Sequence, residues 1–317
     1  MGRSYASIDG DLTTAFYNPA GVASIQGLEL SGSYSSPYYL AKDANYGFVS
    51  VCYTFNDYLV IGLNRNQFSF GKNIIFTDDQ GNTLPYSPYE TNYCLTIASQ
   101  PIKNLYLGLN TNCLIWQPLD RKATAFYFDF GVIKKFSFAQ KVASGHSVNL
   151  GASIVNFNYG KITLDNNGKK LPHVLPVITR LGANYQFTLD KHWLIDTLKT
   201  FNFLIQGEFQ DVLNSGYETA LRTGGEITFL EILSIRAGYY KETIDDYGNP
   251  AFNKGEIKAL TYGFGLQIPL FKLTNIPLNI NFDYTSLPQP DHTTAYYNFG
   301  NFTTYNLRLN WIFKDKK

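Results

Sequence analysis

Polar and apolar residues alternate along most of the chain from Leu28 to its end, most clearly in the last segment. Between residues 302 and 313, one parity holds Tyr305, Leu307, Leu309, Trp311 and Phe313, and the other holds Asn306, Arg308 and Asn310. Successive side chains of a β-strand point to opposite sides of the sheet, so these two sets lie on opposite faces. The pattern predicts a strand with one apolar face and one polar face.

The same separation recurs in segment after segment upstream. Leu260, Tyr262 and Phe264, for example, alternate with Thr261 and Gly263. Helical spacing would mix the two sets, so strand is the stronger interpretation. Counting such segments predicts about fourteen strands, centred near residues 33, 50, 64, 94, 110, 129, 153, 181, 207, 225, 238, 263, 282 and 307. An even number of strands allows an antiparallel barrel with both chain ends on the same side.

The composition favours a barrel in a membrane. Charged residues make up 16% of the 317 residues, against roughly 25% in soluble domains. The chain has 24 Tyr and 24 Phe, and we find no run of about 18 apolar residues that would form a transmembrane helix. A strand in a membrane barrel needs only one apolar face, flanked by aromatic residues. We therefore predict an all-β, membrane-spanning antiparallel β-barrel in the bacterial outer membrane. A soluble β-sandwich would share the alternation, but it would not need outward aromatic residues on nearly every strand.

The lengths of the connections predict the orientation. The even-to-odd connections are short, at Asn56-Asp57, at Pro101 to Asn104 and near Leu230-Glu231. The odd-to-even connections are longer and more polar, at Gly71 to Pro88, Leu164 to His173, Ile244 to Gly255 and Pro288 to Gly300. Two of the even-to-odd connections are exceptions, because the sequence predicts long loops at Phe138 to His146 and at Asp190 to Lys199. Because bacterial barrels have short periplasmic turns and long outer loops, we expect both termini in the periplasm.

The first 27 residues do not alternate cleanly. Asn18 precedes Pro19, which predicts a rigid turn, and Ala20 and Gly21 are small enough for close backbone approach. We therefore divide the chain into an N-terminal hatch or plug segment (1–27), a transmembrane β-barrel (28–313) and a periplasmic tail (314–317). Residues 1–11 show neither the basic n-region nor the apolar h-region of a signal peptide. For an exported barrel, we expect such a start to follow processing, trimming or a mis-assigned first residue.

This opening region resembles a known family. The residues that carry the resemblance are the Met1-Gly2 start with Tyr5-Ala6, the Asp9 and Asp11 pair, and above all Tyr17-Asn18-Pro19-Ala20-Gly21. They look like the opening of FadL-like outer-membrane barrels, especially the PorV/PorQ-type branch of Bacteroidota. The resemblance implies an N-terminal hatch inside the lumen of a fourteen-stranded barrel. It also implies two alternative activities: FadL-like members carry hydrophobic molecules such as long-chain fatty acids, and PorV-like members serve the type IX secretion system.

Strand parity places a balanced set of charges on the inner face. It contains four acids and four arginines: Asp129, Arg180, Glu208, Arg222, Glu226, Arg236, Asp283 and Arg308. Charged groups removed from bulk water need partners, and a balanced set supplies them. An ion-selective porin would more often show one dominant sign. We predict a polar network that pins a plugged lumen, with a polar pathway or a headgroup site as the alternative.

The sequence offers little for catalysis. All four histidines (His146, His173, His192 and His292) fall in predicted loops or turns, and none has a paired metal spacing such as HxxxH. There is no GxSxG elbow and no glycine motif for nucleotides. The three cysteines are expected to be free thiols inside strands, and the net charge of +1 gives no nucleic-acid footprint. We predict no enzymatic activity, no cofactor and no metal.

The predicted outer loops are rich in Tyr, Asn and Asp, as at residues 36–39, 245–249 and 296–300. Tyrosine-rich loops suit protein contacts because they offer large area at small entropic cost. We therefore expect an accessory, partner-binding subunit of type IX-like secretion machinery, with a transporter of hydrophobic small molecules as the alternative. The expected partners are outer-membrane lipid, lipopolysaccharide and other outer-membrane or exported proteins, or a hydrophobic ligand under the alternative. An elongated apolar cavity behind Asn18-Pro19 with a wall opening would favour transport, and a filled lumen with an exposed apolar patch on the loops would favour the partner.

Overall fold

Fourteen of the strands close into one antiparallel barrel. The computed structural model describes residues 4–36, 43–56, 58–71, 74–77, 83–118, 122–141, 144–158, 160–166, 169–189, 195–213, 219–244, 255–274, 276–288 and 301–313. The strands are β1 (Leu28–Ser36), β2 (Asn45–Asn56), β3 (Leu59–Ser69), β4 (Ile74–Thr77), β5 (Thr83–Tyr86), β6 (Tyr89–Ile102), β7 (Leu105–Gln117), β8 (Ala123–Lys141), β9 (Ser144–Val155), β10 (Lys161–Asn166), β11 (Lys169–Val174), β12 (Val177–Leu189), β13 (Phe201–Leu213), β14 (Thr219–Phe229), β15 (Leu233–Ile244), β16 (Gly255–Pro269), β17 (Leu278–Pro288) and β18 (Asn301–Trp311).

The barrel runs in sequence order and closes between β1 and β18. Strands β4–β5 and β10–β11 form two separate hairpins, and every other strand belongs to the barrel. Each of the fourteen predicted strand centres falls inside one barrel strand, so the predicted fold class is confirmed. Hairpin β4–β5 lies within the predicted loop from Gly71 to Pro88, whereas β10–β11 replaces the predicted loop from Leu164 to His173 and extends beyond both of its ends.

The outer face of the barrel is apolar and the inner face is polar. On β16, Leu260 is 70% exposed while its neighbour Thr261 is 3% exposed. Adjacent strands repeat the contrast, since Ile235 of β15 is 72% exposed and Ser234 is 1% exposed. Around the rim where β1 begins and β18 ends, Tyr53 packs against aromatic neighbours on the outer surface. An outward apolar band with aromatic residues at its edge is the surface of a membrane-spanning barrel.

The two rims differ in their connections. At the turn rim, where β1 begins and β18 ends, most connections are short, and α1 (Leu270–Thr274) joins β16 to β17. At the loop rim, the connections are longer and include both hairpins. One prediction was wrong: Phe138 to His146 is not a long loop, because β8 continues to Lys141, β9 begins at Ser144, and Phe138 pairs with His146. No helix in the described part of the chain is long and apolar enough to cross a membrane.

Residues 4–27, which we refer to as the N-terminal segment, lie inside the barrel. Two short 3-10 helices, η1 (Leu12–Phe16) and η2 (Pro19–Ser24), form where Asp11 and Asn18 cap their first N–H groups. The apolar side chains of these helices form one buried cluster with inward-facing wall residues: Leu12, Ala15, Ala20, Val22, Ala23, Ile25, Cys52, Val60, Ala98, Tyr106 and Ile133. The interior at this level is therefore a packed core.

The segment joins the wall at Gly27. Its φ is +80°, and a Cβ atom at this position would lie 1.9 Å from the carbonyl oxygen of Trp311. Only glycine fits such a backbone beside another strand. The turn directs the chain from the interior into β1, whose first residue, Leu28, pairs with Trp311. The predicted tail (314–317) and the tyrosine-rich stretches at 37–39, 245–249 and 296–300 lie outside the described residues.

Candidate functional site

Asn18 attaches the N-terminal segment to the wall. Its side chain is fully buried, and its Nδ2 donates to the carbonyl oxygens of Ala6 (2.6 Å), Val132 (3.2 Å) and Ala152 (3.3 Å). Its Oδ1 accepts from the backbone N–H of Ala20 at 3.1 Å. One side chain therefore caps η2, holds the start of the segment and bonds to β8 and β9.

Wall glycines permit this close approach. A Cβ atom at Gly108 would lie 2.2 Å from the carbonyl carbon of Pro19, and one at Gly131 would lie 1.9 Å from Asn18 Oδ1. At Gly151, it would lie 2.0 Å from the carbonyl oxygen of Ala6. The backbone of the segment thus occupies the space that side chains fill elsewhere. Asn18-Pro19 therefore lies directly against the wall, with no room for an elongated cavity between this turn and β7–β8.

A chain of hydrogen bonds between neutral side chains runs along one half of the inner wall, on β2, β3, β6, β7 and β8, and ends at Asp129. We call this chain the amide belt. Its members are Ser50, Asn64, Thr96, Asn110, Asn112 and Asp129. Ser50 donates to Asn64, Asn64 Nδ2 donates to Thr96 Oγ1 (2.8 Å), and Thr96 Oγ1 donates to Asn110 Oδ1 (2.7 Å). Asn110 Nδ2 then donates to Asp129 Oδ2 (3.0 Å) and to the carbonyl oxygen of Ala15 in the segment (2.8 Å).

Asp129 accepts the last bonds of this belt. Its Oδ2 also accepts from Asn112 Nδ2 at 2.8 Å, and its Oδ1 accepts from the backbone N–H of Asn156 at 3.0 Å. The carboxylate is thus satisfied by amide donors, although the sequence placed it among the ion pairs. Its negative charge lies among the short neutral side chains of the amide belt.

The other half of the wall, on β12 to β18 and β1, carries the ion pairs, and we call it the charged half. At its centre is Glu208, whose side chain is fully buried. Glu208 Oε2 accepts from the backbone N–H groups of Tyr5 (2.7 Å) and Ala6 (2.8 Å). Its Oε1 accepts from Arg222 Nη1 at 2.9 Å and lies 3.8 Å from Arg180 Nε. One oxygen therefore bonds to the segment and the other faces the wall.

A second ion cluster lies on the same half. Arg236 bonds to Glu226 and to Asp283, and Arg308 Nη2 lies 3.6 Å from Asp283 Oδ2. Arg308 Nη1 also reaches Asp11 Oδ2 of the segment at 3.2 Å. The structure therefore places all eight predicted charges on the inner face, with seven of them in these two clusters.

Sequence reasoning missed other attachments of the segment. Lys135 Nζ lies 3.2 Å from Asp9 Oδ2, and Asn149 Nδ2 donates to Asp9 Oδ1 at 2.8 Å. Lys135 shares its parity with inward-facing Ile133, so the alternation along β8 carried the signal that would have found it. Asn184 Nδ2 donates to the carbonyl oxygen of Ser7 at 2.6 Å. Neutral donors to backbone carbonyls have no comparable signal.

Two tyrosines of the segment form an aromatic contact beside the charged half. The rings of Tyr5 and Tyr17 stack with centroids 4.9 Å apart, and the Arg180 guanidinium lies 5.5 Å from the centre of the Tyr17 ring. Burial raises the pKa of the Tyr5 hydroxyl above its ordinary value, and the charge of Asp11 raises it further. The Tyr5 phenol therefore stays neutral at physiological pH.

An apolar depression lies on the outer surface of β8, β9, β12, β13 and β14. Its volume is about 730 Å³, and its lining includes Leu150, Ala152, Leu181, Ala183, Gly207 and Phe209. Large outward side chains such as Leu181 (61% exposed) surround a floor of small residues. Behind this floor, Gly151 and Gly182 pair directly across β9 and β12. The inner side of both glycines is in contact range of Ala6.

Two further features lie at the rims. At the loop rim, inward-facing Leu114, Ala123 and Ala125 form an apolar cluster with Ile162 of the β10–β11 hairpin. At the turn rim, a polar cavity of about 450 Å³ lies beneath the segment. Its lining includes Glu226, Arg308 and amide side chains such as Asn281. The interior is thus apolar at one mouth and polar at the other.

The described residues contain no group of His, Cys, Asp and Glu side chains suited to a metal ion. His146 lies in β9 and His173 in β11, so the prediction that both lie in loops or turns was wrong. Outward-facing His146 Nδ1 lies 2.5 Å from Tyr185 Oη, which places it in the aromatic surface near the turn rim. All three cysteines are free, as predicted, with Cys52 and Cys94 buried.

The sequence matches no protein-family model and no curated protein. Among solved structures, it is similar to the toluene transporter TodX of Pseudomonas putida, with 11% identity, a TM-score of 0.48, and coverage of 98% of this chain and 97% of that one. A FadL homologue of Pseudomonas aeruginosa gives 11% identity, a TM-score of 0.45, and coverage of 98% and 96%. The outer membrane protein OprD of Pseudomonas aeruginosa gives 8% identity, a TM-score of 0.36, and coverage of 91% of this chain and 95% of that one. Likeness at this level carries no argument about function, which has to be inferred from the chain's own geometry.

Proposed function

We propose that the protein is an outer-membrane barrel that passes small hydrophobic molecules from its lumen through the wall into the membrane, with the N-terminal segment as the hatch. The observation that carries the proposal is the apolar depression outside Gly151 and Gly182, directly opposite Ala6. In this function, the turn rim faces the periplasm and the loop rim faces outward, as short turns and long loops favour.

The wall carries no inward side chain at this point. Gly182 of β12 pairs with Gly151 of β9, and neither contributes a side chain to the ladder. A glycine in a strand packs poorly and marks a place of close approach. The backbone of Ala6 and Ser7 supplies the missing packing from inside, because a Cβ atom at Gly151 would meet it. Withdrawal of these residues would leave the ladder alone between the lumen and the depression.

The surfaces along this route suit an apolar molecule. It would enter beside the apolar cluster of Leu114, Ala123 and Ala125 at the loop rim, whose strands β7 and β8 adjoin the depression. It would leave among Leu150, Leu181 and Phe209 at the lipid-facing surface. A straight water-filled channel along the barrel axis is less well supported, because the segment fills the interior and the inner charges pair with one another.

A disulfide between the segment and the wall tests the proposal. Ala6 Cβ lies 3.0 Å from the position of a Cβ atom at Gly182, so an outward shift of about 0.5–1 Å brings the two atoms to the separation that a disulfide needs. We expect the double variant A6C/G182C, with the native cysteines replaced by alanine, to lock the segment when oxidised. Uptake of the hydrophobic dye N-phenyl-naphthylamine, measured in cells whose outer membrane excludes it, should fall to the level of cells without the protein.

The controls are the two single-cysteine variants and reduction of the disulfide. Dithiothreitol should restore uptake in A6C/G182C, and the single variants should respond to neither oxidant nor reductant. Unchanged dye uptake in cells whose barrel carries the complete disulfide would refute the proposal.

A second candidate is the partner-binding subunit of type IX-like secretion machinery. The observation that favours it is the filled interior around Asn18, because a barrel that only binds a partner needs no path through its lumen. In a bacterium with that machinery, deletion of the chain should then stop export of cargo proteins. The oxidised A6C/G182C variant should restore export in full, because a surface role does not need the segment to move.

A further inference from the structure

We infer that Glu208 is the positioning residue that holds the N-terminal segment over the Gly151–Gly182 pair, and that its release of Tyr5 and Ala6 controls the wall path. This inference rests on the proposed function and names its regulation. The two hydrogen bonds from Tyr5 and Ala6 to one carboxylate oxygen fix the backbone that covers both glycines.

Glu208 differs from the other inward acids of the charged half in how it binds the segment. Glu29 of β1 accepts one N–H group of the segment, that of Leu12 at 3.3 Å, whereas Glu208 accepts two at shorter distances. The partners of Glu226 within the described residues are Arg236 and Thr228, both in the wall. Glu208 instead divides its two oxygens between the wall and two adjacent N–H groups of the segment. Hydrogen bonds to an ionised acceptor are roughly twice as strong as neutral ones. The charge of Glu208 is therefore the strongest single restraint on Tyr5 and Ala6.

The geometry also makes this restraint reversible. A buried carboxylate that lost all its partners would be strongly destabilised. Glu208 keeps Arg222 at 2.9 Å on its other oxygen, and Arg180 Nε lies only 3.8 Å away. Arg180 is itself directed to the segment, with its Nη1 3.5 Å from the carbonyl oxygen of Tyr17. When the segment withdraws, Arg180 loses this acceptor and turns to Glu208, so the carboxylate stays paired in both states.

The remaining bonds to the first residues of the segment are neutral. Gln206 Nε2 donates to the carbonyl oxygen of Ser4 at 2.8 Å, and Asn184 Nδ2 donates to that of Ser7 at 2.6 Å. They hold the carbonyl side of the backbone, whereas Glu208 accepts from the N–H side. Loss of the Glu208 charge should therefore release the N–H groups of Tyr5 and Ala6 while the neighbouring carbonyls stay bound.

Hydrogen exchange in the full-length protein tests the inference. In E208Q, the amide oxygen would face the arginines, which only donate, and the NH₂ group would face the N–H groups of Tyr5 and Ala6, so that both bonds to the segment are lost. We expect the amides of Tyr5 and Ala6 to exchange about a hundredfold faster than in the wild type, as the loss of two charge-assisted bonds implies. The matched control is E226Q, which removes an acid paired to an arginine of the same wall without contact to the segment. It should leave exchange at Tyr5 and Ala6 unchanged.

Dye uptake separates this inference from the proposed function. Faster exchange in E208Q together with faster uptake of N-phenyl-naphthylamine supports both. Faster exchange without a change in uptake supports Glu208 as the positioning residue and refutes the wall path. Unchanged exchange in folded E208Q overturns the inference. If E208Q does not assemble, E208D keeps the charge but withdraws the oxygen from the segment. Exchange faster than in the wild type then supports the inference, and wild-type exchange overturns it.

Discussion

The two halves of the inner wall hold the same segment by different physics. The amide belt and the apolar cluster fix η1 and η2 through short neutral side chains and close-packed carbon atoms. The charged half holds the first residues and Asp11 through carboxylates and arginines that have second partners nearby. Packing contacts and neutral hydrogen bonds are lost without replacement when the segment moves, whereas a charged group with a second partner nearby can form a new ion pair. The difference indicates a segment with one permanent end and one movable end.

The largest difference between the two halves is expected when one methyl group is added to each of them. In G108A the new Cβ would lie 2.2 Å from the backbone of Pro19, whereas in G182A it would lie 3.0 Å from the Ala6 side chain. We expect G108A to destabilise docking of η2 by about 3 kcal/mol, the upper end for overpacking, and G182A to be tolerated because Ala6 can shift. Protease sensitivity of residues 4–27 in the folded barrel measures the difference. Equal sensitivity of the two variants would show that both ends are held alike.

The sequence predicted the barrel because period-two alternation reports directly on which side of a wall each residue lies. Leu307 and Arg308 illustrate this, one 47% and the other 7% exposed. The turn between β8 and β9 was misread because the pattern breaks at Ala139 and Gln140, although the ladder reaches Lys141. The alternation therefore predicts well where strands lie and which face each residue is on, but it predicts poorly where strands end.

The candidate site was predictable in its inward charges and in the Asn18-Pro19 turn. Arginines and acids on the inner parity stand out in a sequence with few charges; seven of the eight lie in the charged half, and Asp129 lies in the amide belt. The amide belt was missed because Asn and Thr are common on any wet face, and only the structure aligns Asn64, Thr96 and Asn110 in one chain. The attachment of Tyr5 to Glu208 was also missed. Its donor is a backbone N–H group 203 residues away, which has no sequence signal.

A substitution inside the amide belt sharpens the comparison at intermediate magnitude. D129N would turn an NH₂ group either toward the amide donors of Asn110 and Asn112 or toward the backbone N–H of Asn156, and in both orientations a buried donor loses its acceptor. We expect the barrel to lose about 1–3 kcal/mol of stability, because no second acceptor lies in a neutral belt. Urea titration of the refolded barrel measures this loss. The matched variant N112A removes one donor and should cost less; a larger loss in N112A would contradict the role given to Asp129.

The smallest effect is expected where an ion pair lies outside both halves. Lys272 of α1 bonds to Glu231 at the turn rim, with side chains that are 39% and 21% exposed. Exposed pairs contribute little, about 0–1 kcal/mol, because water and salt screen them. K272A should therefore leave the urea midpoint and the exchange of Tyr5 and Ala6 close to wild type. A large shift in K272A would show that ion pairs stabilise this barrel wherever they occur, and that the charged half has no special relation to the N-terminal segment.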